Sequence, residues 1–217
     1  MICGVDEAGR GPVIGPMVVC AVAVESDAPL RQLDVRDSKK LSPERREALA
    51  PEIRKLCRFE VLIVSAEDID AKRAEMSLND FEALLFATVI GKLKPEVAYV
   101  DSADVNEFDF RRSIAHHLPF ELEIVSKHGA DDLFPVVSAA SIIAKVTRDA
   151  EMRRIEEELG SKIGSGYSHD VETIAFLTKW LGEKGALPPH TRLSWDTAKR
   201  LLSANATRKL DEFAGAK

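Results

Sequence analysis

The longest apolar run in the chain, MVVCAVAV at positions 17–24, limits what can be built around it. It is too short to cross a bilayer, and its β-branched side chains suit a strand. Positions 2–5 share that character, and the bend Gly9-Arg10-Gly11-Pro12 separates the two segments. The chain therefore opens with two adjacent strands, 2–5 and 13–24, joined by a glycine turn. Ser42-Pro43 starts a helix reaching about position 56, with a hydroxyl at the cap and proline at the first helical position. A third strand covers 59–64.

Later segments alternate helix and strand. Ser77 to Asp80 resembles a capping box before Phe81, Leu84, Leu85, Thr88 and Val89, and Gly91 and Pro95 close that helix. A fourth strand at 97–100 ends on Asp101, a short helix follows at 107–116, and a fifth strand covers 120–125. From Leu133, Val136, Val137, Ala140, Ile143, Ala144, Thr147 and Ala150 keep a helical period to about 159. Asp170 caps a helix carrying Ile174, Leu177 and Leu181 that Gly185 stops, and a last helix lies near 195–202. Three early strands followed by alternation predict an α/β domain with a mixed five-stranded sheet flanked by helices. It occupies residues 1–165, with a C-terminal helical cap over 166–217.

With 217 residues, 45% of them hydrophobic, the chain can bury a substantial core. Met1 is followed directly by strand pattern, without a basic region or cleavage site, so a cytoplasmic protein is expected. Cys3, Cys20 and Cys57 lack metal-ligand spacing and read as buried small hydrophobes, a Cys3–Cys20 bridge being the alternative. The formal charge of −6 argues weakly against a nucleic-acid partner. Carboxylates holding a divalent metal would reverse the local field.

Acids at strand ends and helix starts are the chemically informative residues. Asp6 and Glu7 follow the first strand, Asp101 ends the fourth, and Asp131 and Asp132 open the long helix. Phosphodiester hydrolysis is readily assisted by two divalent ions ~4 Å apart, and magnesium takes oxygen ligands, so acids from separate elements meeting at one sheet edge suit it. Each acid has a plainer reading. Asp101 can start a turn with Ser102. Asp132 can cap its helix with Pro135 in the first turn, which assigns Asp131 to the metal. Asp6 and Glu7 face opposite sides of a regular strand, so both reach one site only if the backbone bends near Gly9 and Gly11.

Six ordered blocks carry a resemblance to ribonuclease HII, in particular its archaeal branch. They are Gly4-Val5-Asp6-Glu7-Ala8-Gly9-Arg10-Gly11-Pro12, Asp37-Ser38-Lys39-Lys40-Leu41, Val100-Asp101 and Lys127-His128-Gly129-Ala130-Asp131, then Ser138-Ala139-Ala140-Ser141 through Asp149, and Gly164-Ser165-Gly166-Tyr167. The resemblance implies a ribonuclease H-like sheet, a Mg2+ or Mn2+ cofactor held by Asp6, Glu7, Asp101 and Asp131, and a monomer. The implied substrates are RNA/DNA hybrids and DNA containing single ribonucleotides, cut to leave a 3′-hydroxyl and a 5′-phosphate.

The other blocks supply substrate contacts. Gly9, Arg10 and Gly11 bring backbone groups close to a ribose, whose 2′-hydroxyl both donates and accepts. Tyr167, after a flexible glycine loop, resembles the family tyrosine that packs against the sugar. Ser138, Ser141 and Lys145 recur at helical spacing opposite the apolar stripe and suit phosphate contact or a solvated face, and Lys39 and Lys40 also suit phosphates. His116, His117, His128, His169 and His190 form no ligand set; His128 lies near Asp131 in sequence. The tail from Thr207 to Ala214 distantly resembles the motif with which replication proteins bind the sliding clamp. Leu210 and Phe213 keep its hydrophobic spacing, whereas Thr207 and Ala214 depart from it. A terminal helix packing on its own domain is the other reading.

Overall fold

Apolar strands near the N-terminus need cover on both sides, and the chain supplies it with helices. The computed structural model describes residues 1–33, 35 and 41–215, with side chains through 208. Its elements are β1 (Ile2–Ala8), β2 (Met17–Val24), α1 (Ala28–Gln32), α2 (Pro43–Leu56), β3 (Arg58–Val64), α3 (Ala66–Arg73) and α4 (Leu78–Leu93). Then come β4 (Val97–Asp101), α5 (Glu107–His116), β5 (Glu123–Lys127), α6 (Ala130–Leu133), α7 (Pro135–Leu159), α8 (Val171–Lys184) and α9 (Asp196–Gly215). They fall into two compact units: residues 1–8, 17–63 and 75–150 in one, and 9–16, 64–74 and 151–217 in the other.

The first unit holds the mixed sheet, in the order β3-β2-β1-β4-β5. β1 runs antiparallel to β2, and parallel to β4, which is parallel to β5. Every residue of β2 is buried, so neither face meets solvent. Val18, Cys20, Val22 and Val24 share a core with α2 and the first half of α7, while α4 packs against β1 and β2. Phe86 of α4 meets Phe110 of α5 edge-on at 5.4 Å.

Gly4 sets the depth of that packing. A Cβ built there would stand 2.3 Å from the Val136 carbonyl carbon and 2.4 Å from both the Val136 oxygen and the Val137 nitrogen. Only glycine lets the start of α7 lie directly on the central strand.

The second unit carries α3, α8 and α9 and its own core, in which Val13, Ile14, Met152, Ile155, Ile163, Phe176, Leu177 and Ala198 are buried. Val13 and Ile14 do not extend β2 as expected. The Val13 amide instead donates to the Gly166 carbonyl at 2.8 Å, and Ile14 bridges Thr191.

Local signals located the caps. Ser42 accepts from the Arg45 amide, Ser77 from Asp80 and Asp170 from Glu172, while Gly185 takes the left-handed conformation that ends α8. The helix expected to close at Gly91 and Pro95 ends between them, at Leu93, with Lys94 at φ 52° as its cap. Cys3, Cys20 and Cys57 are free thiols. No helix among the described residues is long and apolar enough to cross a membrane.

Candidate active site

Parallel strands present their carboxyl ends together, and in α/β sheets ligands gather there. β1, β4 and β5 run side by side in one direction, so whatever follows their last residues shares one edge. The register pairs Val5 with Val100, which sets Asp6 level with Asp101. Asp131 comes four residues after β5 ends. The amide of Ala130, just before it, donates to Asp101 Oδ1 at 2.8 Å. Asp6 is 5% exposed and Asp131 1%.

Asp6 carries the electrostatic signature of this edge. Burial, then the charges of Glu7 and Asp101, push its carboxyl well above the usual carboxylate range. A hydrogen bond from the Ser141 hydroxyl and the charge of Lys145 act in the opposite direction. Lys145 Nζ in turn donates to Ser141 Oγ at 2.8 Å, and the Glu7 amide donates to Asp6 Oδ1 at 2.8 Å. The donor set contains carboxylate oxygens from three elements and no sulfur or imidazole, which fits a hard divalent cation. Glu7 and Asp101 thus act on Asp6 electrostatically. Among the described residues, no group of three or more His, Cys, Asp and Glu stands as a ready-made ligand set.

Three expectations change. The strand stays regular through Glu7 and Ala8, paired with Val19 and Val18. The bend comes only at Gly9, φ 83°, so alternation along the strand separates Glu7 from Asp6 in facing, yet the Glu7 charge still acts on Asp6. The long helix does not open on Asp131 and Asp132. Those residues lie inside the single turn of α6, which Gly129 starts in the left-handed conformation, and the chain is extended at Phe134 before α7 begins at Pro135. Asp132 is thus not a cap.

Ser138 and Ser141 are not on a solvated face either. Both are fully buried, and the Ser138 hydroxyl donates to the Val35 carbonyl. The first half of α7 is enclosed on all sides, so polar spacing on it does not mark a surface. Lys39 and Lys40 lie outside the described residues, as do the side chains of Leu210 and Phe213. The ring of His128 engages the Val105 carbonyl at 3.2 Å, and its amide donates to Glu107.

The second unit holds Gly9, Arg10, Gly11 and Tyr167. The Tyr167 ring lies against Gly11, where an added Cβ would be 3.5 Å from Cε1. The glycine loop before it is pinned rather than loose. Ser165 gives both amide and hydroxyl to Asp170 Oδ2 at 2.6 and 2.7 Å, and the Gly166 amide donates to Thr173 Oγ1 at 2.9 Å. Those bonds from Ser165 hold the Asp170 carboxyl well below the usual range.

Arg192 and Trp195 went unnoticed in the sequence. Arg192 is a fully buried cation whose guanidinium binds carbonyls of residues 9, 10 and 15. No local pattern points to it, because those partners lie 177 to 183 positions away.

Comparisons with known proteins bear on the family and the fold. The profile of the family described as Ribonuclease HII matches residues 3–198. A ribonuclease HII of Methanoregula boonei is 48% identical over 213 residues, spanning 98% of this chain and 100% of that one. The solved PCNA:RNase HII complex from Archaeoglobus fulgidus contains a chain similar at TM-score 0.86 and 46% identity, covering 93% of this chain and 96% of that one. Ribonuclease H2 from Pyrococcus horikoshii is similar at TM-score 0.88 and 38% identity, covering 94% and 98%. Sheet order, flanking helices and these neighbours define a protein of the ribonuclease H fold. More narrowly, the chain belongs to the ribonuclease HII family, metal-dependent endonucleases that cut RNA in RNA/DNA hybrids.

Proposed function

We propose that this chain cuts hybrid RNA and also single ribonucleotides embedded in duplex DNA, leaving a 3′-hydroxyl and a 5′-phosphate. In this reading Asp6, Glu7, Asp101 and Asp131 hold two Mg2+ or Mn2+ ions. The observation that carries it is Asp6, buried at the carboxyl edge of the sheet under the repulsion of Glu7 and Asp101. Acids packed in this way are costly without a cation, and a divalent ion relieves the repulsion. Divalent ions held by these acids would supply an activated water and charge stabilisation for the leaving oxygen.

The protein's own groups orient that site. Ser141 and Lys145 hold the Asp6 carboxylate toward its ionised form, and the Ala130 amide fixes Asp101. Lys145 thereby serves the acid as well as any phosphate, while Ser138, enclosed and bonded to Val35, serves packing. Gly9, Arg10, Gly11 and Tyr167 read the sugar, and Lys39 and Lys40 contact phosphates. The tail with Leu210 and Phe213 docks on the sliding clamp. The clamp complex formed by the Archaeoglobus fulgidus relative supports that docking.

The test compares cleavage of three duplexes, one with a single ribonucleotide, one all-DNA and one all-RNA, with magnesium and with chelator. Cutting is expected only beside the ribonucleotide and only with metal, and Asp101→Asn is expected to abolish it without unfolding the chain. Equal cutting of all-DNA, or cutting in chelator, contradicts the proposal.

A further inference from the structure

The loop after β1 has its carbonyls gathered by one side chain. Arg192 Nη2 donates to the Gly9 oxygen at 2.6 Å and to the Gly15 oxygen at 2.9 Å, and Nη1 donates to the Arg10 oxygen at 2.8 Å. Nε adds a bond to Gly15 at 3.1 Å. Trp195 Nε1 takes the next carbonyl, that of Gly11, at 3.1 Å, and its ring centroid lies 4.9 Å from the guanidinium carbon. The segment bearing both residues is itself anchored. The Arg192 amide donates to the Val13 oxygen at 2.8 Å, and Asp70 accepts from the amides of Leu193 and Ser194.

A trans peptide sets each carbonyl antiparallel to the N–H that follows it. Drawing the Gly9 and Arg10 oxygens to Arg192 therefore turns the Arg10 and Gly11 N–H groups to the opposite side. The third oxygen is followed by Pro12, which has no N–H. Gly9 at φ 83° supplies the left-handed residue that this turn needs. The outcome is two consecutive N–H donors next to the glycine on which Tyr167 lies, an arrangement able to bind one sugar oxygen.

We infer that Arg192, with Trp195 as its support, is a positioning residue for ribose recognition: it fixes the carbonyls of residues 9–11 so that the Arg10 and Gly11 amides face the 2′-hydroxyl as a rigid pair. The inference rests on the functional reading above. Lysine preserves the charge but not the planar fork that serves three carbonyls at once, so Arg192→Lys is the informative change.

The experiment measures affinity for a single-ribonucleotide duplex and for its all-DNA counterpart, with calcium in place of magnesium, alongside thermal unfolding and a separation of KM from kcat. Wild type should prefer the ribonucleotide duplex. Arg192→Lys should fold, keep its all-DNA affinity, and lose at least about tenfold of that preference, as two misplaced hydrogen bonds would cost. KM for the ribonucleotide duplex should rise accordingly. Trp195→Phe, which removes one bond and keeps a ring, should lose a smaller part. A folded Arg192→Lys with wild-type preference overturns the inference. Should that variant fail to fold, an unchanged preference in Trp195→Phe overturns it instead. A wild type without preference sinks the functional reading beneath it, which is a separate and recognisable failure.

Discussion

Replacing Gly4 with alanine tests how the sheet and the helix that serves Asp6 are joined. The new methyl would stand 2.3 Å from the Val136 carbonyl carbon, and the atoms it meets are backbone on a buried helix. Non-bonded carbons settle at roughly 3.5–4.0 Å, so about 1.2 Å or more must be recovered by moving α7 off the strand. Forcing a methyl into a packed core costs about 1–3 kcal/mol, and a backbone neighbour that cannot rotate away puts the cost near the upper end. For a chain of this size each kcal/mol moves Tm by about 2–4 °C, so a fall of about 6–12 °C is expected. Gly91→Ala is the control: it lies inside α4 with nothing within 4 Å of the added carbon, and should gain up to ~1 kcal/mol from helix propensity. Calorimetry or circular dichroism melts of both variants in chelator decide the matter. A Gly4→Ala protein as stable as wild type would refute the close-approach argument. Because α7 carries Ser141 and Lys145, the same variant should also cleave more slowly.

Two further outcomes follow from charge. Asp6→Asn removes the repulsion from Glu7 and Asp101 while its amide oxygen can still accept from Ser141, so the metal-free chain should be stabilised by on the order of 1 kcal/mol as activity is lost; melts in chelator should show a higher Tm, and a lower one would contradict the strain assigned to this acid. Asp170 has a folded pKa below its unfolded value of 3.8, so its stabilisation is complete above that pH and fades as the pH falls below it. The Tm gap between wild type and Asp170→Asn should therefore be widest near neutrality and close in acid, and a gap constant with pH would remove the carboxylate from the account.

Legibility followed distance along the chain. Ser42, Ser77, Asp170 and Gly185 announce helix ends because a cap bonds within two to four residues. Asp6 and Asp101 were recognisable as acids ending apolar strands, but only the parallel register of β1 and β4 sets them side by side. Ser138 and Ser141 misled because a hydroxyl opposite an apolar stripe suggests solvent, whereas both Val35 and Asp6 bury them. The break between α6 and α7 was missed because Asp132 and Pro135 make an ordinary capping pattern; the left-handed Gly129 starts a separate turn first. Helices α1 and α3 carry too few buried residues for periodicity to find them. Arg192 had no local sign at all.

Titration of Mn2+ into the folded chain, followed by electron paramagnetic resonance, tests most directly whether the carboxyl edge of the sheet is a metal centre. Saturable binding by wild type and at least about tenfold weaker binding by Asp101→Asn are expected, since one ligand of a small oxygen set is lost. Equal binding by the two proteins would show that the ions sit elsewhere.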